Sequence, residues 1–356
     1  MKTDEAGTIR TGEDIDADSI FTHMQGKVTG LGDKLEVKQF PGGASNLTYF
    51  LQSGDLEMVL RRPPFGAKIK SAHDMSREYR ILNALSKSYP KAPKPLLFCQ
   101  DESVIGADFY VMERVKGVII RGKMGGELDE TTVAAIAKSL IHTMAELHEV
   151  DFEAVGLGDL GRPAGYIKRQ VEGWTRRYVK AKTDDQKEIE AVAKWLADHM
   201  PEESGASLIH NDFKHDNVIL DPDDLTKVKA ILDWEMSTLG DPLMDLGTTL
   251  SYWMNPDDPP VFAQSFPNPS LLKGSPTREG LLQIYTERSG RDIQNPVFYY
   301  AFGLFKTAVV LQQIYARYKA GHTQDPRFKY FNQVVTAFGI MASRAIELNR
   351  IDGLMV

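Results

Sequence analysis

The chain carries a single cysteine, Cys99, in 356 residues. One thiol cannot close an intramolecular disulfide, and without cysteine neighbours it cannot build a zinc-type cluster, so a reducing, cytoplasmic setting is expected. Long apolar runs are also missing. No stretch reaches the roughly 18 consecutive apolar residues that a membrane span needs; Ala308–Leu311, for instance, is bounded by Lys306 and Gln312. The opening segment, MKTDEAGTIRTGEDIDADSIF, is acidic and polar where a secretory leader would begin basic and turn apolar. Basic clustering is scarce too. With 42 Lys+Arg against 49 Asp+Glu the net charge is −7, and no Lys/Arg run offers the clustered face that nucleic-acid phosphates require. Neither nucleic acid nor membrane is an expected partner.

What is present is an ordinary globular composition, 42% hydrophobic and 26% charged, long enough for about two domains or lobes. Residues 1 to 20 hold Asp4, Glu5, Glu13, Asp14, Asp16 and Asp18 with few apolar anchors, which reads as a loosely docked leader. From Leu35 the pattern changes to short alternating runs, Leu35–Phe40, Leu47–Gln52 and Leu56–Arg61, separated by Pro41-Gly42-Gly43 and Ser53-Gly54-Asp55. This is the punctuation of antiparallel hairpins. A helix is predicted after Ser71-Ala72-His73-Asp74, through about Ser86, then strands at Phe98–Cys99 and Phe109–Met112, giving a five-stranded lobe with one helix. Beyond a linker at Val115–Gly117 the periodicity is helical: Thr131–His148, Lys187–Met200, Arg278–Ser289, Pro296–Ala320 and Arg327–Asn349. Two short β-like runs, Val218–Leu220 and Ala230–Leu232, predict a small hairpin within this helical body. The proline-rich stretch Asn255–Pro276 reads as a loop. No internal repeat is visible.

The strongest local signal is Ile209-His210-Asn211-Asp212-Phe213-Lys214-His215-Asp216-Asn217. His210-x-Asp212 followed by Asn217 has the spacing of a kinase catalytic loop, and Asp233 ends an apolar run 21 residues after Asp212, where a kinase keeps its metal-binding aspartate. Phosphoryl transfer from ATP needs Mg²⁺ held by oxygen ligands and a carboxylate that orients the acceptor hydroxyl; Asp212, Asn217 and Asp233 are residues of those types.

With these motifs the chain resembles the aminoglycoside phosphotransferase and choline kinase-like small-molecule kinases over roughly residues 25–345. The resemblance is strongest to the acyl-CoA-dehydrogenase-associated branch, through Pro41–Asn46, Leu60–Pro64, Leu232–Glu235 and Gly240–Gly247. It implies a two-lobed, protein-kinase-like α+β fold. Residues 1–24 would be a flexible leader, 25–112 a nucleotide-binding lobe, 113–117 a hinge, and 118–356 a helical lobe with the catalytic loop and substrate pocket. It further implies Asp212 as catalytic base, His210 as its support, Lys214 near the transferred phosphate, and Asn217 and Asp233 as Mg²⁺ ligands. The turn containing Gly42, Gly43, Ser45 and Asn46 would cover the nucleotide, Arg61 would hold its phosphates with Glu78 as partner, and Glu113 and Val115 would flank the adenine. Asp245 would brace the catalytic loop. ATP and Mg²⁺ are the implied cofactors. The implied partner is a small-molecule hydroxyl acceptor, either a hydroxyacyl-CoA-type compound or an aminoglycoside, and a homodimer is compatible with this.

The sequence departs from the kinase pattern in several places, one being that Gly42-Gly43-Ala44-Ser45-Asn46 is not G-x-G-x-x-G. An arginine stands where the third strand normally carries a lysine, and either Arg61 or Arg62 could fill that role because alternating strand residues face opposite sides. Asp233 is followed by Trp234-Glu235, not Phe-Gly, and there is no Ala-Pro-Glu segment, which points away from protein kinases. Blander readings also stand. Asp245 could cap a helix beginning near Leu246, His148 could simply end its helix, and Tyr252 and Trp253 could be pocket wall. Two other functions compete: a metal-dependent phosphohydrolase using His210, Asp212, His215, Asp216 and Asp233, and a catalytically inactive nucleotide-binding module.

Overall fold

In the computed structural model, which describes residues 5–41, 46–66, 74–121, 128–266 and 268–355, the alternating runs emerge as strands. In chain order the elements are α1 (Ala17–Met24), β1 (Glu36–Gln39), β2 (Leu47–Ser53), β3 (Leu56–Arg62), α2 (Met75–Leu85), β4 (Pro95–Cys99), α3 (Glu102–Ile105) and β5 (Phe109–Glu113). There follow α4 (Glu130–His148), α5 (Tyr166–Ala181), α6 (Lys187–Asp198), β6 (Ser207–Ile209), β7 (Val218–Leu220), β8 (Val228–Ile231), β9 (Thr238–Gly240) and α7 (Pro242–Tyr252). The chain ends with α8 (Pro260–Ser265), α9 (Arg278–Ser289), α10 (Pro296–Lys319) and α11 (Phe331–Leu348). These fall into two units. The first comprises Met1–Ile119, Glu153–Leu157 and Val218–Met236; the second comprises Ile120–Phe152, Gly158–Asn217 and Ser237–Val356.

The first unit is built on an antiparallel sheet of order β1-β2-β3-β5-β4. One face buries Tyr49, Leu51, Met58, Leu60, Phe109 and Val111 completely, together with Ile20 and Met24 of α1. The acidic N-terminal segment is therefore not loose where it is described: Asp16 caps α1 by accepting from the N–H groups of Asp18 and Ser19, and Gly7 pairs with Gln39. Two apolar residues four apart and one capping carboxylate are enough to dock a two-turn helix. Helix α2, capped by Asp74, buries Met75, Ile81, Leu82 and Leu85 on one face and carries Glu78 inward with them. The β7–β8 hairpin, expected inside the helical body, belongs to this unit: Val118 bridges Leu220, and the Ile231 N–H donates to the Lys91 carbonyl.

The second unit is helical apart from the short β6–β9 pair. Its centre is α10, packed against α7, α11, α5 and α6. Among the described residues α10 is the one helix long and apolar enough to cross a membrane, yet 78% of its apolar window is buried by the rest of the chain. It is a core helix. Proline at the first turn starts α8 within the stretch read as a loop, because the missing proline N–H is one that a helix leaves unbonded anyway. The predicted final helix is split by a 3-10 turn, Pro326–Tyr330, before α11. Helix α5 went unrecognised although Ile167, Val171, Trp174 and Tyr178, all buried, follow helical spacing.

Helices α7 and α10 touch backbone to backbone. A Cβ on Gly247 would meet the Tyr299 carbonyl carbon at 2.6 Å, and one on Gly303 would meet the Gly247 carbonyl carbon at 2.7 Å. Gly247→Ala is expected to destabilise the chain by about 3 kcal/mol or more, the upper end for an overpacked core, because backbone cannot swing aside as a side chain can. A urea midpoint equal to that of the wild type would show that the two helices separate freely.

Candidate active site

In the second unit, β6 ends at Ile209 and delivers a turn whose backbone is held from below. The Asp245 carboxylate, in the first turn of α7 and fully buried, accepts from the N–H of His210 (Oδ2, 2.7 Å) and of Asn211 (Oδ1, 2.7 Å). Asp245 is not the helix cap; Asp241 is, accepting from the N–H groups of Leu243 and Met244. His148 Nε2 lies 3.1 Å from Asp245 Oδ2, and its Nδ1 lies 2.8 Å from the Tyr285 hydroxyl. Burial alone would push the Asp245 carboxyl up, but the bond from His148 and the N–H of His210 hold it below the usual carboxylate range. A buried anion at this point anchors the turn without needing an arginine or lysine.

Above this anchor Asn211 adopts a left-handed backbone, φ 65°, and Asp212 follows. Its carboxylate receives Lys214 Nζ at 2.7 and 2.9 Å, the Tyr252 hydroxyl at 2.8 Å and Asn217 Nδ2 at 2.9 Å. Asn217 Nδ2 also donates to the Asp212 carbonyl, closing the 3-10 turn His215–Asn217. The Tyr252 hydroxyl, pushed far up by burial and by Asp212, stays protonated and acts as a neutral donor. His210 is buried with Nδ1 3.3 Å from the Asp212 N–H and its ring edge-on to Phe213. The sequence motif thus brings together His210, Asp212, Lys214 and Asn217 as expected. Asp216 is pushed up by burial. His215 instead stacks on Trp253, centroids 4.7 Å apart, with burial lowering its pKa to about 4.

The first unit holds a second charged centre. Arg61 donates through Nη1 to Glu78 (2.7 Å) and through Nη2 to Asp233 (2.8 Å), with Glu235 at 3.7 Å. The Trp234 N–H donates to Glu78 (3.2 Å), and Asn46 Nδ2 donates to Glu235 (2.7 Å). Arg62 points away, to the carbonyls of Pro63 and Ile105 and over the Phe65 ring. The pairing belongs to Arg61. Burial pushes the Glu78 carboxyl up against the pull of Arg61. Asp233, like Asn211, has a left-handed backbone, φ 67°. Of the other expected residues, Glu113 ends β5 and accepts from the Lys94 N–H, and Val115 is half-buried just beyond. Gly42, Gly43 and Ser45 lie outside the described residues.

Sequence reasoning missed the contacts of Tyr252, His148 and Tyr285 with this machinery. Each is tens of residues from the motif, so only tertiary structure brings it there. Among the described residues no three His, Cys, Asp or Glu side chains converge as a metal cage.

Residues 36–267 match the phosphotransferase enzyme family (APH). The chain belongs to that family. Its fold is the protein-kinase-like α+β fold. The phosphotransferase is 37% identical over 322 residues to acyl-CoA dehydrogenase family member 11 of Gallus gallus, covering 89% of this chain but 40% of the relative. It therefore spans less than half the length of that relative. Among solved structures it resembles a Ralstonia eutropha JMP134 protein classed as an aminoglycoside phosphotransferase, at 31% identity and TM-score 0.78, covering 92% and 97% of the two chains. It also shares the fold of choline kinase from Cryptosporidium parvum, at 12% identity and TM-score 0.64, covering 94% and 97%.

Arg61→Met in the phosphotransferase is expected to cost about 3–5 kcal/mol, since it leaves Glu78 buried and unpaired. Adding Glu78→Gln should restore part of that loss. Equilibrium urea unfolding of both variants checks this; a double variant no more stable than Arg61→Met would deny Glu78 its role as the main partner.

Proposed function

We propose that the chain transfers the γ-phosphoryl group of Mg·ATP to the hydroxyl of a small acyl-type acceptor. The observation that carries the reading is the Asp212 carboxylate, fixed by Lys214, Tyr252 and Asn217 on a turn anchored by Asp245. A carboxylate so oriented can accept the acceptor's hydroxyl proton as the oxygen attacks phosphorus. Lys214 would balance charge near the transferred group. Asp233 and Asn217 carry side-chain oxygens of the kind that would hold Mg²⁺, which when bound would neutralise the phosphates. Arg61, held by Glu78, would pair with the phosphates; Asn46 and the turn before it would cover them, and Glu113 and Val115 would meet the base.

An acyl-type acceptor is favoured over an aminoglycoside by the apolar lining of a small recess in the second unit. It is lined by Ile120, Leu128, Val133, Ile136 and Leu272, with His215 and Trp253 of the active-site region. These walls are apolar, and His215 is held neutral by burial, so nothing there pairs with a polycation. The recess has room for about one water molecule, some 10 Å³, so its walls would have to part to take any of an acceptor.

An ADP-release assay over hydroxyacyl-CoAs, free hydroxy acids, amino alcohols, sugars and aminoglycosides tests the acceptor. Turnover is expected with hydroxyacyl compounds, and turnover restricted to aminoglycosides would overturn the acyl reading. With the acceptor so found, Asp212→Asn should lower kcat by about 10²–10⁴ while Mg·ATP binding persists. An unchanged kcat would remove Asp212 from the base role.

A further inference from the structure

Lys306, on the core helix α10, is buried at 3% exposure. Its ammonium donates to the Asn211 carbonyl at 2.8 Å, with the Asn211 side-chain oxygen and the Thr248 hydroxyl at 3.4 Å. Among the described residues it makes no ion pair, so a charged group sits in the core bonded only to neutral oxygens. Such a group is costly to bury, and an apolar side chain of similar length would avoid the cost. What it touches is the residue immediately before Asp212, in a backbone conformation that side chains other than glycine rarely adopt.

We propose that Lys306 is a positioning residue for phosphoryl transfer: its ammonium clamps the Asn211 carbonyl, holds that residue in the left-handed conformation, and so aims Asp212. The inference rests on the proposed role of Asp212 but adds a residue that its motif does not contain. Three other contacts surround the same turn. The Asp245 carboxylate takes the Asn211 N–H, the Tyr166 hydroxyl reaches Asn211 Oδ1 at 3.2 Å, and Trp174 presents its ring 5.9 Å from Lys306 Nζ. The Asn211 carbonyl is held from the side of α10 by Lys306. The charges acting on Lys306 are Asp245 of α7 and Asp212 of the turn, which favour the ammonium, and Lys214 of the turn and Arg177 of α5, which oppose it.

Burial lowers the Lys306 pKa from 10.5 to about 8, so the clamp should weaken as pH rises through about 8. The folding linkage runs the other way. Between about 8 and 10.5 the unfolded chain holds this proton and the folded chain does not, so the contribution of Lys306 to stability rises with pH over that window and is lost as pH falls through about 8. Turnover and stability thus move in opposite directions, which a purely structural lysine would not produce.

The test uses the full chain with Mg·ATP, reading slow transfer to water as ADP release between pH 6.5 and 10, alongside lysine-selective NMR of the wild type. The wild-type kcat is expected to fall as Lys306 titrates, with the Asn211 and Asp212 amide signals shifting in step. Lys306→Met should lower kcat at pH 7 by about 10²-fold, the scale of a misplaced catalytic group, leave the KM for Mg·ATP within about twofold, and abolish the alkaline limb. Lys306→Arg, whose charge does not titrate in this range, should keep turnover at pH 9. Lys306→Met with Asn211→Gly should lose less than the two single losses combined, because glycine adopts the conformation unaided. A Lys306→Met enzyme with the wild-type rate or an intact alkaline limb would overturn the inference, as would Asn211 and Asp212 signals that ignore the Lys306 titration. Should the wild type release no ADP to water, the NMR titration alone decides the clamp, and the acceptor screen decides the kinase chemistry.

Discussion

The turn that carries Asp212 depends on one buried carboxylate. Asp245 accepts two consecutive backbone N–H groups, those of His210 and Asn211, and is itself held by His148. Two adjacent amides can point at one anion only if the chain bends sharply there, and the left-handed Asn211 is that bend. From it follows the direction in which Asp212 leaves the turn. The anion needs a rigid base, and α7 supplies it: its first turn is capped by Asp241 and its middle is pressed against α10 through Gly247 and Gly303. Core packing between two helices is thereby converted into the orientation of a carboxylate.

The first unit is organised on a similar principle with the charges reversed. There a cation, Arg61, is the hub, and carboxylates from a helix and from the segment after β8 converge on it. The arginine that replaces the usual lysine suits this position: its planar fork engages Glu78 and Asp233 through separate nitrogens, which a single ammonium does less readily.

Much of this was legible in the chain. The first three strands announced themselves through alternation and glycine-proline punctuation, whereas the fourth, Pro95–Cys99, was legible only at its end; the spacing of His210, Asp212 and Asn217 pointed to one turn because those residues are local. Which of Arg61 and Arg62 faces Glu78 could not be read, since strand alternation separates the two without saying which side α2 covers. Tyr252, His148, Tyr285 and Lys306 were invisible as active-site neighbours for a simpler reason. They sit on helices whose apolar periodicity explains their presence equally well, and only the packing of α4, α7, α9 and α10 shows what their polar ends meet. Asp245 was ambiguous because Pro242 and Asp241, not Asp245, mark the start of α7.

Asn211 and Asp233 are both held in a backbone conformation that costs an ordinary residue about 1–3 kcal/mol. Glycine would relieve either position, and would also delete the side-chain oxygen that Tyr166 or Arg61 engages. Backbone comfort and side-chain chemistry therefore select different residues at these two sites. An effort to raise the thermal tolerance of this chain by smoothing the positive torsions of Asn211, Asp233, Asn295 and Asn349 would, at the first two, remove the side-chain oxygens that hold these turns.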